Sequence, residues 1–132
     1  MAVRAGVLAA TAALAAAGLA GTAQASTGAS YVGRGYAEQG DGVWCVQHLA
    51  NDLARQRGRA TVKEDGYWGP KTEAQVRWFQ GQFSLNADGI VGPKTGDHLL
   101  LWGNWPYGGN GDCMSKIPSS TDHFDIPHTR LD

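Results

Sequence analysis

The sequence is nearly without net charge: eleven basic and twelve acidic residues leave a formal charge of −1 over 132 positions. It therefore has no basic field for nucleic acid and no polybasic patch for acidic lipid. Cysteine is almost absent, with two residues, and no Cys/His cluster has zinc-finger spacing. No apolar run reaches the ~20 residues of a stable membrane span. The length is too short for two full domains and suits one domain with appendages. Glycine, by contrast, is plentiful at 19 residues, which points to many turns.

What is present begins with a leader pattern. Arg4 supplies a minimal positive region, Ala5 to Ala20 is an uncharged Ala/Leu/Val run, and Ala23-Gln24-Ala25 places small residues around a cleavage site. Residues 1–25 are read as a signal peptide, with 26–42 as a flexible lead-in, partly ordered at best. A membrane anchor is the competing reading, disfavoured by the short run and its low Leu/Ile/Phe density. Export makes Cys45 and Cys113 a disulfide pair, the alternative being two buried thiols.

Val43 to Arg57 has helical periodicity, with Val43, Val46, Ala50 and Leu53 on one stripe. Asp41 is expected to cap its start and Gly58 to stop it. An internal repeat follows. Asp65-Gly66-Tyr67-Trp68-Gly69-Pro70-Lys71-Thr72 returns twenty-three residues later as Asp88-Gly89-Ile90-Val91-Gly92-Pro93-Lys94-Thr95, with six of eight positions identical. Asp-Gly opens a tight turn, and Pro suits the first helical turn, where its missing N–H costs nothing. Each copy therefore launches a helix: Thr72 to Phe83, striped by Val76, Phe79 and Phe83, and a shorter one through His98 to Leu101. Phe83, Leu85 and Ile90 are expected in the core of the connecting turn. The expected fold class is all-α, three short helices over 43–101, followed by an irregular, disulfide-tethered tail over 102–132.

Val43-x-x-Val46-Gln47, both Asp-Gly-x-x-Gly-Pro-Lys-Thr copies and the intervening Glu73-Ala74-x-Val76-x-x-Phe79-Gln80 together resemble the peptidoglycan-binding domain found beside bacterial cell-wall hydrolases. The resemblance covers about Val43 to Leu101. It implies a three-helix fold and non-catalytic wall binding. Two positions depart from the family pattern. Gly96 stands where a bulky aromatic is usual, and Trp78 where a small or variable residue is usual. Trp102 and Trp105 of the tail are the candidates to fill the space at Gly96.

The chemistry-bearing residues favour binding over catalysis. A wall hydrolase needs a zinc triad, paired carboxylates or a Cys-His pair. The disulfide consumes both cysteines. Asp65 has a turn role, and Glu64 and Glu73 read as solvated rather than as a glycosidase pair. His123-x-Asp125-x-x-His128 has metal-like spacing, but it lies in a Pro-interrupted terminal segment without rigid support. Each Asp-Gly loop offers one carboxylate, too few for calcium. No cofactor or metal is expected, and the chain is not expected to be an enzyme.

Peptidoglycan offers sugar faces, amides and stem-peptide carboxylates, so its binder needs aromatic platforms, cations and amides. Tyr67, Trp68, Arg77, Trp78 and Gln80 are the candidate ligand-binding residues. Trp68 has the alternative of plugging the core; Arg77 points away from the Val76/Phe79/Phe83 stripe, and Trp78, also off that stripe, has the alternative of contacting the tail. Trp44 is similarly offset from its helix stripe, and Lys71 and Lys94 read as solvated helix starts. The expected partner is peptidoglycan and the expected location extracellular or wall-associated, with no nucleic acid and no stable membrane insertion after cleavage. The competing reading is a secreted inhibitor or accessory subunit of a wall hydrolase, with the Trp-rich tail as its contact surface.

Overall fold

The computed structural model describes residues 29–103 and 112–120. The proposed leader, Trp105 and the His123/Asp125/His128 trio lie outside them. Within the described residues the protein is all-α: α1 (Asp41–Gln56), α2 (Pro70–Gln82) and α3 (Pro93–Trp102), with isolated β-bridges outside the helices. None of these helices is long and apolar enough to cross a membrane.

The α1 stripe buries Val43, Val46, Leu49, Ala50 and Leu53. Against it pack Val76 and Phe79 of α2 and Leu99 and Leu100 of α3. Asp41 does not cap α1: it is the first helical residue, preceded by Gly40 at φ 109°, and no side chain caps the start. Its carboxylate instead lies 3.3 Å from Lys116 Nζ. The helix stops as expected, at Gly58 with φ 72°. There the Arg59 N–H reaches the Ala54 carbonyl at 2.8 Å, satisfying one of the last-turn acceptors. The end of α2 uses the same geometry without glycine: Ser84 takes φ 56°, and the Leu85 N–H donates to the Gln80 carbonyl at 2.9 Å.

Residues 29–40 differ from the loose lead-in expected. Val32 is buried and bridges Val91, while Gln39 bridges Tyr67. The segment thereby laces the two loops together. The Trp68 N–H donates to the Glu38 carbonyl and the Val91 N–H to the Val32 carbonyl, both at 2.8 Å, so equivalent positions of the two repeats are held alike.

The segment 112–120 forms a strap. Cys113 is buried and bonded to Cys45, as the cysteine count implied. Ile117 enters the core. The Pro118 carbonyl crosses α3 so closely that a Cβ at Gly96 would lie 1.7 Å from it. The missing aromatic is therefore replaced by strap backbone, and Trp102 stacks instead on Phe83 at 5.6 Å. Ser120 closes the strap on Asp97, its N–H donating to Oδ1 at 2.9 Å and its hydroxyl to Oδ2.

Candidate functional site

Each Asp-Gly loop is held by one glutamine from the preceding helix. The Gln47 amide donates to Asp65 Oδ1 at 3.2 Å, the Tyr67 carbonyl at 3.0 Å and Thr72 Oγ1 at 3.0 Å, and its oxygen accepts the Gly66 N–H at 2.9 Å. Gln80 repeats this set on Asp88 at 3.1 Å, the Ile90 carbonyl at 2.9 Å, Thr95 at 3.0 Å and the Gly89 N–H at 2.9 Å. Gly66 and Gly89 both sit at φ 75°, a conformation glycine adopts at no steric cost. Each aspartate also caps its own turn, accepting the N–H two residues on. Both glutamines are 1% exposed, and an amide with this many partners has little capacity left for a ligand.

Beside each latched loop lies a cleft. The first, about 420 Å³, opens between the start of α1 and the first loop. Trp44, Tyr67, Gln39, Asp41, Glu64 and Asp65 line it. Trp44 stacks on His48 with ring centroids 4.8 Å apart and planes 7° from parallel. Tyr67 is 65% exposed. Glu64 is not solvated as expected: it accepts from His48 Nδ1 and Asn51 Nδ2, both at 2.9 Å. Burial pushes its carboxyl up, but the Asn51 and His48 hydrogen bonds, with the charges of His48 and Arg55, bring it net below its ordinary value. The Tyr67 N–H, then the Gln47 amide, lower the Asp65 carboxyl likewise. The cleft thus presents ionised acceptors beside an aromatic ring. The second cleft, about 460 Å³, lies beside the second loop, between Tyr31, Leu85, Ile90 and Pro93, with Lys94 and Ser120 among its lining residues.

The candidate residues do not converge on one face. Tyr67 lines the first cleft. Gln80 also borders a cleft, but as the buried latch. Trp68 packs partly buried against the core, its indole N–H enclosed without a partner among the described residues. Arg77 donates to Glu73 and, at 2.7 Å, to the Ala87 carbonyl, tying the second loop to α2. Glu73 in turn meets Arg34 at 3.1 Å, so it too is engaged rather than solvated. Trp78 packs on the core and carries the Arg59 guanidinium 4.9 Å above its ring. One of its neighbours is thus Arg59 of the α1–α2 connection. Sequence reasoning did not select Gln47 or Glu64 for the site. The glutamine–loop spacing is 18 residues in one repeat and 8 in the other, so no constant offset marks the pair.

Aromatic faces, amides and carboxylates thus line the clefts beside two latched loops. Residues 46–99 match the family described as "Putative peptidoglycan binding domain". The match covers the helical module and leaves out the lead-in and the strap. The chain is 38% identical over 66 residues to a zinc D-Ala-D-Ala carboxypeptidase of Streptomyces albus G, covering 49% of this chain and 26% of that protein. It is 53% identical over 36 residues to a probable N-acetylmuramoyl-L-alanine amidase of Bacillus licheniformis, covering 27% and 10%. An uncharacterized protein of Kitasatospora aureofaciens is 46% identical over 59 residues, covering 44% and 47%. The chain thus spans less than half of each of these relatives. No solved structure matches it.

Proposed function

We propose that this is a secreted protein that holds bacterial wall peptidoglycan through the first cleft and acts by binding rather than by bond cleavage. The family match of residues 46–99 is the observation that carries wall binding. The Ala-rich leader pattern and the buried disulfide support export. In the first cleft, Trp44 and Tyr67 offer apolar faces to a sugar ring, and Glu64 and Asp65 offer acceptors to its hydroxyls. Gln47, Gln80 and Arg77 position the loops. The relatives named as a carboxypeptidase and an amidase fit a module that brings chemistry to the wall when joined to it.

The pure oxidised protein should co-sediment with purified peptidoglycan, and soluble glycan fragments should release it. Persistent supernatant protein would overturn wall binding. Failure of glycan fragments to compete would move the site away from the sugar. Wall suspensions should keep their turbidity with or without zinc. Zinc-dependent clearing would instead assign chemistry to His123, Asp125 and His128.

A further inference from the structure

The second cleft is built differently from the first, although the two loops are latched alike. At the first loop, a Cβ on Gly69 would meet nothing within 4 Å; at the second, a Cβ on Gly92 would meet the Tyr31 ring at 3.1 Å. Tyr31 thus roofs the second loop while keeping 42% of its surface exposed. Ser120, held by Asp97, borders the cleft from the disulfide-tethered strap. Both residues lie outside the family-matched segment 46–99, so the cleft is completed from beyond that segment.

The charge pattern also differs: among the described residues three carboxylates, Asp41, Glu64 and Asp65, and no cation line the first cleft, whereas Asp88 and Lys94 both line the second. In the second, Asp88 is engaged through both oxygens, Oδ1 by Gln80 and the Ile90 N–H and Oδ2 by Asn86. Lys94 is exposed, with no carboxylate partner among the described residues. Leu85, Ile90, Pro93 and the Tyr31 ring give apolar walls. The volume, about 460 Å³, falls in the ~300–1,000 Å³ range of small-ligand sites.

We infer that the second cleft is a separate site for a short peptide ending in a free carboxylate, the chemistry of a wall stem peptide. The carboxylate meets Lys94, and small aliphatic side chains lie against Tyr31 and Ile90. The inference rests on the wall-binding reading. It makes the protein a two-point binder, with sugar at one loop and peptide at the other. Two linked weak contacts would then act together on polymeric wall.

The test uses the oxidised chain, 15N-labelled, titrated with the synthetic stem tetrapeptide L-Ala-γ-D-Glu-L-Lys-D-Ala and with its C-terminal amide. Amide shifts should cluster at Ile90, Gly92, Thr95 and Ser120 and spare Gly66 and Tyr67. Lys94→Gln and the amide peptide should each weaken binding about three- to ten-fold. Lys71→Gln, at the equivalent place beside the first loop, should leave it unchanged. Tyr31→Ala should weaken binding without unfolding the protein, judged by its remaining spectrum. Shifts at the first cleft, or none while the protein still sediments with whole peptidoglycan, would overturn the second site and leave wall binding standing. Loss of sedimentation as well would remove the wall reading itself.

Discussion

Gln47 serves Asp65, Tyr67, Thr72 and Gly66 with one amide. Replacing it by leucine leaves a buried Gly66 N–H and other loop groups without partners. Gln47→Leu should lower stability by about 2–3 kcal/mol, read as a shift in urea midpoint, and Gln80→Leu should do the same at the second loop. An unchanged midpoint would show that the loops stand without their latches. Glu64 gives a pH signature. Its carboxyl is lowered on folding, with burial opposing and the Asn51 and His48 hydrogen bonds prevailing. The stabilisation is thus present above the unfolded value, near 4.5, and lost as pH falls through the folded one. The urea-midpoint advantage of wild type over Glu64→Gln should shrink between neutral pH and about pH 3; a constant gap would deny the linkage. At this scale the sequence was only partly legible. Asp65 and Asp88 announce turns by residue type, whereas Gln80 looks like a surface amide until its partners are seen. Arg77 and Trp78, chosen by their offset from the α2 stripe, prove to be engaged with Ala87 and Arg59, contacts that no helical period encodes.

The elements were more legible, because their cores obey the 3.6-residue period. The stripe Val43, Val46, Ala50, Leu53 is buried as the spacing implied, and Pro70 and Pro93 open their helices. Ends were less legible. A capping aspartate at 41 and a helical Asp41 have the same local sequence, and the carboxylate's partner, Lys116, lies 75 residues away. Ser84 marks an improvable end. A non-glycine residue in the left-handed region costs roughly 1–2 kcal/mol, so Ser84→Gly should raise stability by up to about 1 kcal/mol, after its greater unfolded-state entropy is allowed for. A lower melting temperature would contradict that. Gly96 is the converse case. With the Pro118 carbonyl 1.7 Å from an added Cβ, Gly96→Ala must displace the strap, at a cost of about 2–3 kcal/mol.

At the scale of the molecule, the lead-in and strap convert a helical module into a closed unit. The lead-in joins both loops through Val32 and Gln39, contacts that its Gly-rich sequence does not advertise. The strap was legible only through its cysteine. The Cys45–Cys113 bond spans 68 residues, and chain entropy assigns such a loop about 4 kcal/mol. Reduction should therefore lower the unfolding midpoint sharply, and alkylation without reduction should modify nothing.

Wall binding through the first cleft is tested most directly by an isotherm on purified peptidoglycan for the wild type, Tyr67→Ala and Arg77→Ala. Tyr67 is mostly exposed, so its loss should spare the fold while weakening binding roughly ten-fold, about 1–2 kcal/mol for an aromatic platform. Arg77→Ala, which acts only through the second loop and not in the first cleft, should weaken binding less than Tyr67→Ala does. Equal isotherms for wild type and Tyr67→Ala, with binding lost instead in Arg77→Ala, would contradict the assignment and return the site to α2.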